Sequence, residues 1–379
     1  MNEKRAVRPL KDALSDHRSA LLSLAQSHMK RRRWNVLLKS AIWAWIWEYL
    51  RTLFTRRRDF PTLPPGQGQP GMYPIDSRCR IAIASDWGSG TEAAYAVGDR
   101  IRSAQPDYTI HLGDVYYSGT KEEFQSYFFA PGAWPWQKGK TFLLNANHEM
   151  YGGGQGYFGF ALPTVGQATS FFCLQNQYWR ILGLDTGYYA RIFPLLEFLL
   201  KGWIRLHDAI KDWLARVVFA IPDDRGTIVL THHQWFSAFD TEYPTIGKNL
   251  APYLDRVTVW FWGHEHRLAG YAPFGLDGGR VRARCIGHGG MPIELGGSRK
   301  RERPVVFLDD RPCTKVDEQR LGYCGFVLLE LDGPRLTAEY RDHEGTLLLT
   351  ETWTQPGSAP KVTPTEHLTL VPGQSWSNL

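Results

Sequence analysis

Six short apolar, β-prone runs, each ending in residues that can do chemistry, constrain this chain more than any other feature. They are RIAIASDWG (80–88), DYTIHLGD (107–114), KTFLLNANHE (140–149), YWRILGLDT (178–186), TIVLTHHQ (227–234) and VTVWFWGHEH (257–266). Each reads as a buried strand whose C-terminal end delivers a polar payload. Between the first two, TEAAYAVGDRIRSAQPD places Ala93, Ala94, Val97 and Ile101 at helical spacing, so at least this unit is βαβ. In α/β sheets the crevice beyond the carboxyl ends of the strands is where ligands bind. The payloads therefore converge on one place. A β-rich tail follows, GFVLLELDGPRLTAEYRDHEGTLLLTETW, with turns at Asp332-Gly333 and Glu344-Gly345.

Composition supports an ordinary globular chain, with 43% apolar residues in 379. Its five cysteines, 79, 173, 285, 313 and 324, are an odd number without a CxxC pair, which fits reduced thiols in the core rather than a disulfide framework. The net charge of +6 is uneven. Residues 1–60 carry 14 Lys and Arg against 5 Asp and Glu, a charge of +9, so the remainder of the chain carries the difference, −3. The basic character belongs to the N-terminus.

That N-terminus, residues 1–60, reads as a basic, Trp-rich helical extension without the pattern of a secretory signal. From 30 to 58 an apolar segment is fenced by Arg31, Arg32 and Arg33 and by Arg56, Arg57 and Arg58, and is interrupted by Lys39, Glu48 and Arg51. A bilayer span wants roughly 20 nearly uninterrupted apolar residues, so this segment does not read as one. On a helix, Ile42, Ile46, Leu50 and Leu53 share a side with Trp43, Trp47 and Phe54. Two readings stay open: an interfacial helix on an anionic membrane surface, or a helix packing on the main domain. Nucleic acid is the least favoured partner. The expected location is cytoplasmic, with peripheral membrane attachment under the first reading. Residues 61–75 form a Pro- and Gly-rich linker, 76–355 the main domain, and 356–379 a C-terminal tail.

The payloads include Asp86, Asp114, Tyr117, Asn147, His148, His232, His264 and His266. Oxygen and imidazole donors without a thiolate suit hard or borderline ions such as Fe, Mn and Zn. They are too many for one ion and suffice for two sharing a bridging carboxylate, the arrangement that clamps attacking and leaving oxygens in phosphoryl transfer. There is no G-x-S-x-G and no P-loop.

The motifs SDWG, GDVYY, NHE, VLTH and GHEH, in this order over residues 80 to about 350, resemble the calcineurin-like metallophosphoesterases, and most closely their purple acid phosphatase branch. The resemblance implies a four-layer αββα sandwich of two mixed β-sheets flanked by helices, here with an N-terminal helical extension. It also implies hydrolysis of a phosphate ester by a metal-activated hydroxide. The commoner Asp-x-His motif is missing a histidine, because Gly88 stands two residues after Asp86. In the purple acid phosphatase branch a tyrosine three residues after the second aspartate takes its place, and Tyr117 holds that position. Carried over by residue, Asp86, Asp114, Tyr117 and His266 hold the first metal, expected to be iron. Asp114, Asn147, His232 and His264 hold the second, which is Fe, Zn or Mn. Tyr116 is expected to point elsewhere. The resemblance makes His148 the residue that assists the leaving group, with Glu149 orienting it. Ala146 stands where the family usually has glycine, and His233 duplicates the histidine of VxxH; His232 is taken as the ligand because neighbouring strand residues face opposite ways.

Several features keep two readings. His288 is a residue of the site's rim or a loop histidine without a role, and His111 reads as a core histidine. The glycine-rich stretch 150–158 is a substrate loop or a tight connection. From Leu195 to Val218, apolar residues at helical spacing predict an amphipathic helix of about six turns, inserted at 190–218, with Leu195, Phe198, Leu199, Trp203, Ile210 and Trp213 on its apolar face. A phosphodiesterase on the same metals and a membrane-surface scaffold with a non-catalytic phosphatase-like domain are the competing functions.

Overall fold

Strand β2 (Arg78–Ala84) shows how the chain builds its layers. Its alternate residues face opposite ways, as in any strand. Ile81 and Ile83 join one apolar cluster and Ala82 and Ala84 another. The same split occurs in β7 (Gly226–Thr231), where Ile228 and Leu230 face one side and Val229 the other, and in β8 (Val257–Trp262), where Val259 and Phe261 oppose Trp260 and Trp262. Strands buried on both faces have to be covered on both faces.

In the computed structural model, which describes residues 58–61, 71–190, 204–275, 281–293, 295, 299–316, 319–355, 360–365 and 367–379, two mixed sheets supply that cover. One runs β17 (Lys361–Pro364), β16 (Leu347–Thr354), β15 (Arg335–Asp342), β14 (Gly325–Asp332), β2, β3 (Tyr108–His111) and β4 (Thr141–Leu143). The other runs β1 (Met72–Pro74), β5 (Phe172–Gln175), β6 (Trp179–Leu184), β7, β8, β10 (Ala283–Ile286), β9 (Leu268–Tyr271), β11 (Val305–Leu308) and β18 (Thr369–Leu370). The hairpin strands β12 (Pro312–Val316) and β13 (Gln319–Gly322) pair separately. Between the large sheets lies a core that includes Ile81, Phe142, Ile181, Phe261, Val327 and Trp353. The outer face of the β2 sheet is covered by helix Glu92–Ser103, and that of the β7 sheet by helices Asp208–Trp213 and Pro244–Leu250. This is the expected αββα sandwich.

β2, β3 and β4 are parallel, as are β6, β7 and β8. Each such set therefore ends on one side. Helix Glu92–Ser103 connects β2 to β3, with Thr91 capping its first turn by accepting from Ala94 N at 3.2 Å. The tail forms the expected meander β14–β15–β16, with Gly333 (φ 59°) and Gly345 (φ 94°) at the predicted turns. Residues beyond 355 also take part: β17 extends one sheet and β18 the other. At the opposite end β1, inside the stretch read as linker, pairs with β5.

The predicted six-turn helix is not continuous. Residues 204–207 are not helical, and His207 caps a helix that begins at Asp208 and continues to Val218. Ile210 and Trp213 are buried in the core of that layer, so its apolar face has its partner in the sheet. Leu195, Phe198, Leu199 and Trp203 lie outside the described residues, as does the extension up to Arg57. Phe60, the last residue of that extension, is buried between His207 (4.0 Å, stacked), Phe171 and Tyr188.

Candidate metal centre

The ends of β2 and β3 turn sharply. Asp86 (φ 58°), Asp114 (φ 72°) and, past β8, His264 (φ 66°) sit in the left-handed region, where Asp, Asn and His are the side-chain-bearing residues most often found. Such conformations cluster at functional sites because the surrounding structure must hold them. Backbone bonds do so here. Asp86 N donates to Gly113 O at 3.0 Å, Gly263 N to His232 O at 3.0 Å, and Met291 N to Asp86 O at 3.0 Å. Gly113 (φ 107°) leaves no room for more, since a Cβ there would meet Ala146 Cβ at 2.6 Å.

These turns bring the two sheets' payloads together. Asp86 Oδ2 accepts from His264 N at 3.0 Å, and Asp86 Oδ1 lies 3.5 Å from His266 Nε2. Asp114 Oδ2 lies 3.5 Å from His232 Nε2 and 3.8 Å from His148 Nε2. His232 Nε2 is 3.1 Å from Asn147 Oδ1 and 3.3 Å from His264 Nδ1. Asp86, Asp114 and His232 form a buried group with ligand atoms within 4.8 Å of one another, and so do His232, His233 and His264, with His264 half-buried.

The tyrosine differs from expectation. It is Tyr116, not Tyr117, whose hydroxyl enters this cluster, 3.2 Å from Asp86 Oδ1, 3.2 Å from Asp114 Oδ2 and 3.0 Å from His266 Nε2. Gly113 and Asp114 turn the chain through two successive left-handed residues, and the side chain that comes back over the carboxylates is the one two positions after Asp114. Tyr117 meets the site through its backbone and its ring: its N–H donates to Glu123 Oε1, its carbonyl lies 2.8 Å from His148 Nδ1, and its ring packs beside those of Tyr116 (5.6 Å) and His148 (6.2 Å).

Glu149 also differs. Its carboxylate accepts from Val115 N at 2.8 Å, Ala146 N at 3.1 Å and Asp114 N at 3.2 Å, clamping the loop that carries Asp114. The carbonyl of Tyr117, not Glu149, orients His148. Ala146 in place of glycine fits because its backbone is extended (φ −137°, ψ −175°), which any residue adopts.

The electrostatics are those of a buried site that favours a cation. Burial and then the carboxylates of Asp86 and Glu149 push Asp114 well above the usual carboxylate range. Burial acts the same way on Asp86, but His266 and His232 outweigh it and hold that carboxyl low. Two buried carboxylates this close cannot both ionise without a compensating charge. Burial holds the imidazole of His232 well below its ordinary value and brings His148 down to about 3, leaving both neutral. His232 Nδ1, 3.1 Å from Leu112 O, has a carbonyl to donate to, which leaves Nε2 as the lone-pair nitrogen. This donor set fits a hard or borderline metal.

His288 is buried, with Asp309, Asp342 and Arg311 as its nearby charges. His111 is a core histidine, packed edge-on against Phe128 and Trp134 at 5.2 and 5.4 Å. The glycine stretch after His148 is a tight connection: Gly152, Gly153 and Gly154 are buried, and Gly154 N donates to Glu149 O at 3.0 Å. No motif in the sequence pointed to Tyr243, whose hydroxyl is 3.3 Å from His264 Nε2.

Similar folds among solved structures include the purple acid phosphatase PPD1 from yellow lupin (Lupinus luteus) seeds, at 16% identity over 75% of this chain and 55% of that chain, with a TM-score of 0.44. This chain thus spans little more than half of the lupin protein. PhoD matches at 12% identity over 80% of this chain and 74% of that chain, with a TM-score of 0.48. Vps29 from Chaetomium thermophilum matches at 11% identity over 78% and 97%, with a TM-score of 0.30. A search of curated protein sequences finds no match. The model of the calcineurin-like phosphoesterase family matches residues 79–268, half of the chain and every strand that delivers a candidate ligand, and the chain belongs to that family.

Proposed function

We propose that this protein hydrolyses phosphate esters with two metal ions held at the ends of the sheets. The observation that carries the reading is the position of Asp114. Its Oδ2 lies 3.2 Å from the Tyr116 hydroxyl, which also reaches Asp86 and His266, and 3.5 Å from His232 Nε2, which also reaches Asn147 and His264. In this reading Asp86, Asp114, Tyr116 and His266 hold the first ion, and Asp114, Asn147, His232 and His264 the second. A phenol in the first set supports iron there, as in purple acid phosphatases; the amide and imidazoles of the second suit Fe, Zn or Mn. Once bound, the ions supply an activated water and neutralise charge on the phosphoryl group.

The chain's own residues do the rest. Glu149 keeps Asp114 in place through three backbone N–H groups. His148, aligned by the Tyr117 carbonyl, faces Asp114 with Nε2. Burial keeps it neutral, and an arriving phosphate dianion favours its imidazolium form. His148 takes the added proton from solvent as the dianion binds and gives it to the leaving oxygen. A phosphodiesterase would use the same residues. Turnover of a panel of phosphomonoesters and of bis(p-nitrophenyl) phosphate, with metal analysis of the same preparation, tests the reading. Hydrolysis of monoesters by protein with about two metals per chain supports it; metal-loaded protein that turns over neither class overturns it.

A further inference from the structure

His233 is buried, with one ring nitrogen engaged and the other not. Nδ1 lies 3.0 Å from Thr186 Oγ1, and the same hydroxyl oxygen accepts from His233 N at 3.1 Å. Nε2 has no hydrogen-bond partner among the described residues. A polar atom buried without a partner costs about 1–3 kcal/mol, so it calls for an explanation. The ring is tilted against that of His264, with centroids 4.8 Å apart, and His233 offers a ligand atom within 4.8 Å of those of His232 and His264. In the tautomer in which Nδ1–H donates to Thr186 Oγ1, Nε2 carries the free lone pair. His232 repeats the pattern, with its Nδ1 at the Leu112 carbonyl and its Nε2 in the cluster.

We propose that His233 is a further protein ligand of the second metal, through Nε2, and that Thr186 sets its tautomer. The inference rests on the dinuclear reading above and extends it. A third imidazole beside the Asn147 amide and the Asp114 carboxylate makes that site richer in nitrogen. Imidazole suits zinc, iron and copper, whereas manganese is better served by oxygen donors. His233 therefore biases the second site towards zinc or ferrous iron and against manganese.

The test uses the full-length protein loaded with cadmium-113, in which through-bond coupling to ¹⁵N marks each imidazole nitrogen bonded to the ion. Coupling is expected at His232, His233, His264 and His266. An uncoupled His233 beside coupled His232 and His264 overturns the inference and leaves the dinuclear reading intact; protein that takes up no cadmium overturns both. In zinc–manganese competition, His233→Gln should lower the zinc preference of the second site by about 10-fold or more, since even the outer partners of ligands are worth about 10–100-fold in affinity. An unchanged preference overturns the inference. Should His233→Gln fail to fold, the coupling experiment on the wild-type protein decides alone.

Discussion

The hydroxyl of Tyr116 stands 3.2 Å from Asp114 Oδ2, closer to that carboxylate than either His148 or His232 comes with its Nε2. Burial, reinforced by Asp86 and Asp114, raises this phenol well above its ordinary value, so the metal-free protein keeps it protonated. Only a bound cation makes the phenolate favourable. Iron-loaded, oxidised protein is therefore expected to absorb visible light by charge transfer from Tyr116. Tyr116→Phe should bleach the band while Tyr117→Phe keeps it. A colourless protein, fully active on zinc or manganese alone, would sink the assignment of iron to this site.

A second expectation separates chemistry from metal binding. His148→Ala should keep both metals and lose turnover by about 100-fold or more on a substrate with a poor leaving group. Asp114→Asn should lose metal as well as turnover. Glu149→Gln should weaken metal binding without touching His148, because a carboxamide cannot accept with both of its ends from the backbone N–H groups that hold the Asp114 loop. Metal content and kcat on the same preparations check all three. Near-normal turnover in His148→Ala would remove His148 from the chemistry.

Metal uptake should also carry a proton signature. The folded-state carboxyl of Asp114 is raised, so it keeps its proton to a higher pH than an ordinary carboxyl, and a metal must displace that proton. Low pH therefore favours the protonated, metal-free form, and affinity climbs as pH rises. Calorimetry of metal binding in two buffers of different ionisation enthalpy should show net proton release that grows as pH is lowered. No proton release would mean that Asp114 is not the displaced acid.

The site was legible in the sequence wherever an apolar run ended in a lone polar group. Asp86, Asp114, Asn147, His232, His264 and His266 stand at ends that alternation alone picks out. The choice between Tyr116 and Tyr117 was not legible, since it depends on the left-handed turn at Gly113 and Asp114, and periodicity says nothing about a turn's exit direction. The overlong helix prediction failed for a related reason. Ile204 and Leu206 are buried on non-helical chain that leads into the His207 cap, and apolar residues two apart do not distinguish such chain from a helix's first turn. Glu149 was read from its neighbour His148, whereas its partners are backbone groups that side-chain motifs do not report.

The N-terminal extension gives the last expectation, and the fold changes where it should be cut. Phe60 is buried against His207, Phe171 and Tyr188, and Arg58 Nε donates to Gln155 Oε1 at 3.0 Å. Removing residues 1–57 leaves Phe60 in place, so that truncation should stay folded and keep hydrolysis of a small soluble ester. Removing residues 1–70 takes the ring away, and Phe60→Ala alone should cost about 3–5 kcal/mol, the usual range for a buried phenylalanine. Juxtamembrane basic residues contribute about 1 kcal/mol each near an anionic surface, and salt screens that share beyond about 10 Å at 0.1 M. Full-length protein is thus expected to sediment with anionic liposomes, to be partly released by high salt, and to lose binding when residues 1–57 are removed. If the intact chain ignores liposomes and the 1–57 truncation is insoluble, the basic, Trp-rich segment belongs to the fold and the membrane reading fails.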